Sequence, residues 1–148
     1  MESLTTDWSE FLGLLISEKV EFLLIGGHAL AAHGHPRFTE DLDVFVRADE
    51  ANARRVRSAL EKFGFGDVAP EVSALTQVRK VFMLGRKPFR IDILTGISGV
   101  NFDEAWENRD YVELAPGSVP LISRVDLIKN KAASGRPKDL ADLAALSA

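Results

Sequence analysis

A chain of 148 residues with 46% hydrophobic and 27% charged content has the composition of one globular domain large enough to bury a core. Its net charge of -4 lacks the basic surplus of a broad nucleic-acid binder, and the absence of cysteine excludes disulfides, zinc–thiolate sites and cysteine nucleophiles. The amino-terminal MESLTTDWSEFLGLL carries acids where a signal peptide carries bases, and no apolar run approaches the ~20 residues of a membrane span, so a cytoplasmic protein is expected.

In chain order, Trp8, Phe11, Leu12, Leu15 and Ile16 recur at helical spacing and predict a helix over Trp8 to Lys19. Val20 to Ile25 is a short apolar run ending at Gly26-Gly27, the pattern of a buried strand entering a tight turn. His28 to His33 reads as a two-turn helix stopped by Gly34 and Pro36. Arg37, Phe38 and Thr39 link it to a strand over Asp41 to Val46, followed by a helix over Asp49 to Phe63. Val78 to Leu84 and Phe89 to Leu94 flank Gly85-Arg86-Lys87-Pro88 as a hairpin. Asn101 to Asn108 predicts a short helix and Tyr111 to Leu114 a short strand. Ser123 opens a helix through about Ala133, with Asp126 in a capping-box-like position. A last helix over Lys138 to Leu146 places Leu140, Leu143 and Leu146 on one side. The expectation is a single α/β (α+β) domain over 1–148 with a mixed sheet, its core at about 20–95 and a helical part at about 120–148.

The chemistry concentrates in three acids. Side chains alternate along a strand, so Asp41 and Asp43 share one face while Leu42, Val44 and Val46 take the other. Two residues span roughly 6.6 Å, close enough for two carboxylates to grip one divalent ion or bracket a pair. The same alternation in Arg90-Ile91-Asp92-Ile93-Leu94 buries the isoleucines and turns Asp92 the other way. If the two strands are neighbours, three carboxylates converge, and they repel unless a cation lies among them. Hard oxygen ligands favour Mg²⁺ or Mn²⁺. Gly26 and Gly27, between a strand and a helix start, offer backbone N–H groups to a phosphate.

These residues resemble the signature of the nucleotidyltransferase-fold superfamily, the DNA polymerase β-like group. Ile25-Gly26-Gly27, a spacer of thirteen residues, Asp41-Leu42-Asp43-Val44 and Ile91-Asp92-Ile93 supply every element of it. The run GGHALAAHGHPRFTEDLDV, with Leu127-Ile128-Lys129-Asn130-Lys131, Gly135-Arg136-Pro137-Lys138-Asp139 and Asp142, is similar to the small bacterial abortive-infection and toxin–antitoxin nucleotidyltransferases. The resemblance covers about Val20 to Leu143. It implies the minimal nucleotidyltransferase fold, helices mainly on one sheet face, and metal-dependent transfer of a nucleoside monophosphate from an NTP such as ATP to a protein, tRNA or small-molecule acceptor. Gly27 followed by His28 departs from members with serine as the second motif residue, so a hydroxyl contact to phosphate is absent and backbone amides remain.

On this reading Asp41, Asp43 and Asp92 are both catalytic residues and metal ligands. Gly26, Gly27 and His28 seat phosphates, with His28 as a phosphate or base contact. Arg37 and Thr39 line the pocket, or Arg37 simply pairs with Glu40. Lys129, Lys131, Arg136 and Lys138 form a late basic cluster that suits a helix end equally well, and the resemblance assigns Lys131 and Lys138 to the triphosphate. Asp139 and Asp142 are alternatively structural acids pairing with that cluster. His28, His33 and His35 have irregular spacing and no cysteine partners, which argues against zinc. Trp8, Trp106 and Tyr111 are assigned to packing rather than to base stacking. The rival expectation is a non-catalytic, antitoxin-like or nucleotide-sensing partner of the same fold. The shortness of the chain suggests an obligate protein partner or a small homo-oligomer.

Overall fold

The computed structural model describes residues 4–36 and 38–147. Six strands order as β3-β4-β2-β1-β6-β5, where β1 is Phe22–Ile25, β2 Asp41–Val46, β3 Val81–Leu84, β4 Arg90–Leu94, β5 Asp110–Leu114 and β6 Gly117–Leu121. The sheet is mixed, as expected: β2 pairs parallel with β4 and β1 parallel with β6, while the β1–β2, β3–β4 and β5–β6 pairs are antiparallel. Around it lie α1 (Thr6–Ser17), α2 (Gly26–Ala32), α3 (Glu50–Phe63), α4 (Val72–Leu75), α5 (Phe102–Glu107), α6 (Arg124–Ser134) and α7 (Pro137–Ser147). No helix among the described residues is long and apolar enough to cross a membrane.

Local chemistry sets the helix ends. The Thr5 side chain accepts from the Trp8 amide at 3.2 Å, and Asp49 does the same for Asn52 at 2.8 Å. Ser123 accepts from the Asp126 amide at 3.1 Å, so the expected cap forms from the serine side. The Asp126 carboxylate instead turns towards Asn108, 3.4 Å away, and Lys129. Gly135, at φ +65, ends α6 in the left-handed region, and Pro137 starts α7 two residues later, which folds the two helices back on each other.

Alternation along β2 and β4 separates core from site. Leu42, Val44, Ile91 and Ile93 are at most 1% exposed and join Phe11, Leu12 and Leu15 of α1 and Val56, Ala59 and Leu60 of α3 in one apolar core. Helices α1 and α3 pack together, with Phe11 edge-on to Phe63 at 5.3 Å.

Several boundaries differ from the sequence reading. Helix α2 starts at Gly26, so the glycine pair is its first turn rather than a separate loop. Strand β3 starts at Val81 rather than Val78, because the Thr95 hydroxyl accepts from the Lys80 amide at 2.8 Å and donates to the Gln77 carbonyl at 2.7 Å, fastening 77–80 as a turn. Strand β6 had no sequence signal because Pro120 interrupts it, and a proline cannot donate to a ladder. The four-residue α4 is too short to show a period. In α7 the buried stripe is Asp139, Asp142 and Leu146, while Leu140 is 48% exposed. Of the expected leucine face, Leu146 is buried and Leu143 half-buried, and Asp139 and Asp142 take the rest of the stripe.

Asn52 ties the core to the sheet ends. Buried at 1% exposure, it accepts from the Glu21 amide at 2.8 Å and donates to the Glu21 and Arg47 carbonyls at 3.0 Å each. Asn52→Ala removes these partners of the Glu21 amide and the Arg47 carbonyl and leaves the Glu21 carbonyl with the Arg47 amide alone, so urea denaturation is expected to show a loss of about 2–3 kcal/mol.

Candidate active site

The parallel register of β2 and β4 places Asp43 directly opposite Asp92 and Asp41 opposite Arg90. Ligand oxygens from Asp41, Asp43 and Asp92 consequently lie within 4.8 Å of one another. Asp92 is buried and the other two are half-buried. Burial first, then the charges of Asp41 and Asp92 and a hydrogen bond with Asp92, push the Asp43 carboxyl up to about 8, against a downward pull from Arg90. At neutral pH and without a cation, Asp43 therefore keeps its proton.

Arg90 was missed from sequence. It stands two residues before Asp92 on β4, so the alternation that delivers Asp92 delivers Arg90 to the same face. Its Nε donates to Asp92 Oδ1 at 2.8 Å, and one terminal nitrogen donates to Asp92 Oδ2 and Asp41 Oδ2 at 3.0 Å each.

Gly26 has two reasons to be glycine. Its φ is +70, and a Cβ there would stand 2.1 Å from Asp43 Oδ2. The motif glycine thus makes room for the carboxylate itself as well as leaving backbone accessible. Thr39 braces the other side, donating to the Asp41 carbonyl at 2.9 Å.

The triad lies in a cleft of about 820 Å³ that Gly26, Gly27, Thr39, Lys131 and Lys138 also line. Five further cleft residues, Phe38, Arg79, Lys87, Arg90 and Arg136, are aromatic or basic; of these only Arg136, within the late basic cluster, carries an expectation from sequence. Phe38 is 82% exposed, and Arg79 and Lys87 come from the turns flanking β3, whose place beside the acids no local pattern reveals.

Residues 15–148 match the family described as nucleotidyl transferase AbiEii toxin, type IV toxin–antitoxin system. The chain belongs to that family. It is a nucleotidyltransferase, in keeping with the resemblance drawn from its motifs. Two solved structures share the fold. One is the lincomycin-bound lincosamide antibiotic adenylyltransferase LnuA, with TM-score 0.58 and 15% identity over 100% of this chain and 99% of that one. The other is an antigenic nucleotidyltransferase-like protein from Paracoccidioides brasiliensis, with TM-score 0.54 and 19% identity over 98% and 78% of the two chains. No curated protein matches the chain.

The remaining expected residues of the nucleotidyltransferase divide by location. His28 is not among the cleft residues and stands edge-on to Trp8, with ring centroids 5.0 Å apart. The helical turn of α2 carries its side chain towards α1. His33 meets the Ile122 carbonyl at 2.8 Å. Arg37 lies outside the described residues. Trp8 is buried, Trp106 stacks on Phe102, and Tyr111 accepts from Arg109 at 2.8 Å, all outside the cleft lining.

Lys131 reaches the cleft from a buried position, with Nζ 3.1 Å from Asp139 and 3.0 Å from Asp142. Asp139 also accepts from Ser134 and from Arg136 Nε. Burial alone would raise Asp139, but the hydrogen bonds from Ser134, Arg136 and Lys131 outweigh it and hold the carboxyl at about 2. The folded value lies below the usual 3.8, so the stability it brings is complete above pH 4 and disappears as pH falls towards 2. Asp139→Asn is expected to remove that acid-side dependence and to cost about 2 kcal/mol at neutral pH, measured by denaturant titration across pH 2–7. Gly26→Ala is expected to displace the Asp43 carboxylate and lower nucleotidyl transfer at least ~100-fold in a labelled-NTP assay.

Proposed function

We propose that the chain transfers a nucleoside monophosphate from an NTP to an acceptor hydroxyl, with Mg²⁺ or Mn²⁺ held by Asp41, Asp43 and Asp92. The observation that carries this reading is the convergence of the three carboxylates within 4.8 Å in a cleft that also contains several basic side chains. The donor set is all hard oxygen, and Asp43, raised by burial first and then by the charges of Asp41 and Asp92, is a carboxyl whose ionised form a divalent ion would stabilise. The residues fit the ion. Bound there, it would supply positive charge to the phosphate oxygens and to the attacking oxygen.

The chain's own groups divide the remaining work. Gly26 and Gly27 line the cleft at the β1–α2 corner and would border the phosphates there. Lys138 and Arg136, both exposed and lining the cleft, meet the β- and γ-phosphates from the α6–α7 side. Lys131, tied to Asp139 and Asp142, fixes the distance between the two helices and adds a positioned charge. The acceptor oxygen bonds to the α-phosphorus, the bond to the bridging oxygen breaks, and pyrophosphate leaves. The acceptor proton passes to Asp92, whose carboxylate belongs to the same triad.

In this reading the chain works as one unit in the cytoplasm, where NTPs are available, and within a toxin–antitoxin setting that supplies a protein partner. The candidate acceptors, a protein hydroxyl, a tRNA end or a small hydroxylated molecule, share only the nucleophilic oxygen. They are separated by incubating the protein with Mg²⁺ and a panel of labelled NTPs against host proteome, tRNA and small-molecule fractions, then locating the added mass. One fraction is expected to take the label, and Asp41→Asn and Asp43→Asn are each expected to reduce transfer by at least ~100-fold. Label transfer that survives both substitutions would refute the assignment.

A further inference from the structure

We propose that Arg90 is the resident counter-ion of the carboxylate triad: it occupies the gap between Asp41 and Asp92 when no divalent ion is bound and surrenders Asp41 when one enters. Metal entry is then an exchange of cations rather than the filling of an empty cage. The inference rests on the metal-dependent reading above and extends it to a residue the metal-site motif does not include.

The geometry points this way on three counts. First, the guanidinium spans two of the three ligands, with one nitrogen 3.0 Å from both Asp41 Oδ2 and Asp92 Oδ2. A cation bridging these two carboxylates needs the same space. Second, the grip is unequal. Asp92 receives a two-pronged contact from Nε and the terminal nitrogen, whereas Asp41 receives a single bond. Asp41 is therefore the ligand released first, while the fork on Asp92 keeps the guanidinium beside the site.

Third, the backbone holds Arg90 there. It is the register partner of Asp41 in the β2–β4 ladder, so its Cα cannot withdraw without breaking the pairing that also sets Asp43 opposite Asp92. Only the side chain is free to swing, and it is 22% exposed on the cleft side. Arg90 thus serves as a positioning residue: it orders the acids before metal arrives and sets the electrostatic cost of metal entry.

The test is Mn²⁺ binding to the full chain without nucleotide, read by electron paramagnetic resonance, alongside melting curves with and without Mn²⁺. Arg90→Gln removes the competing charge, so its Mn²⁺ affinity is expected to rise about tenfold over the unsubstituted chain. Its melting temperature is expected to fall without metal and to gain more from Mn²⁺ than that of the unsubstituted chain. A purely structural arginine would give the opposite affinity change, since loosened ligands bind metal less well. Arg90→Lys keeps the charge but not the fork, and its affinity is expected to fall between the two. Should Arg90→Gln melt below the assay temperature, the lysine variant carries the same comparison. Unchanged or weaker Mn²⁺ binding by the folded variants overturns the exchange and leaves the metal reading standing. No Mn²⁺ binding by any folded chain overturns both.

Discussion

Mutual repulsion among Asp41, Asp43 and Asp92 is the constraint around which the rest of the molecule is arranged. Carboxylates this close cannot all ionise without compensation, and the fold compensates by several means at once. Asp43 retains a proton, Arg90 lends its guanidinium, and Gly26 gives up its side chain so that the Asp43 carboxylate has somewhere to sit. The apolar face of the same strands bears the mechanical load. Leu42, Val44, Ile91 and Ile93 anchor β2 and β4 in the core, and their packing holds the acids together despite the charge.

A second electrostatic centre lies across the cleft and is resolved differently. Lys131 is buried, and its charge is matched by Asp139 and Asp142 rather than by solvent. An ammonium so placed is costly without an ionised partner, and the depressed Asp139 carboxyl supplies one. One wall of the cleft thus carries an excess of negative charge and the other a neutralised cation network.

Sequence made the first wall legible and much of the second illegible. The period of two in DLDVFV and RIDIL decides which side chains share a face, and it gave the triad correctly once the strands were taken as neighbours. Applied one step further it also delivers Arg90, whose basic side chain is no part of the acid signature. Spacing on helices was less informative. Lys131, Asp139 and Asp142 fall at positions that could be a solvated helix end or a buried network, and only the Gly135 reversal between α6 and α7 distinguishes them. His28 followed the glycines so closely that a phosphate role looked natural, yet one turn of α2 directs it to Trp8. Phe38, Arg79 and Lys87 reach the cleft through tertiary folding alone, and Pro120 concealed a strand.

The pairing of Asp43 with Asp92 across a parallel ladder has a consequence for how this chain can vary. The two acids are separated by α3, α4 and β3, yet their alignment depends only on the hydrogen-bond register of β2 against β4. Insertions, deletions and new loops in the intervening segment leave the alignment untouched while the ladder holds. A slip of one residue in that ladder, by contrast, would exchange Asp92 for an isoleucine on the cleft side and drive a carboxylate into the core. Chemistry and foldability therefore fail together at these two strands and are independent almost everywhere between them. Diversification of the loops in the intervening segment, outside Asn52 and the core residues of α3, is cheap, and drift in the strands themselves is eliminated twice over.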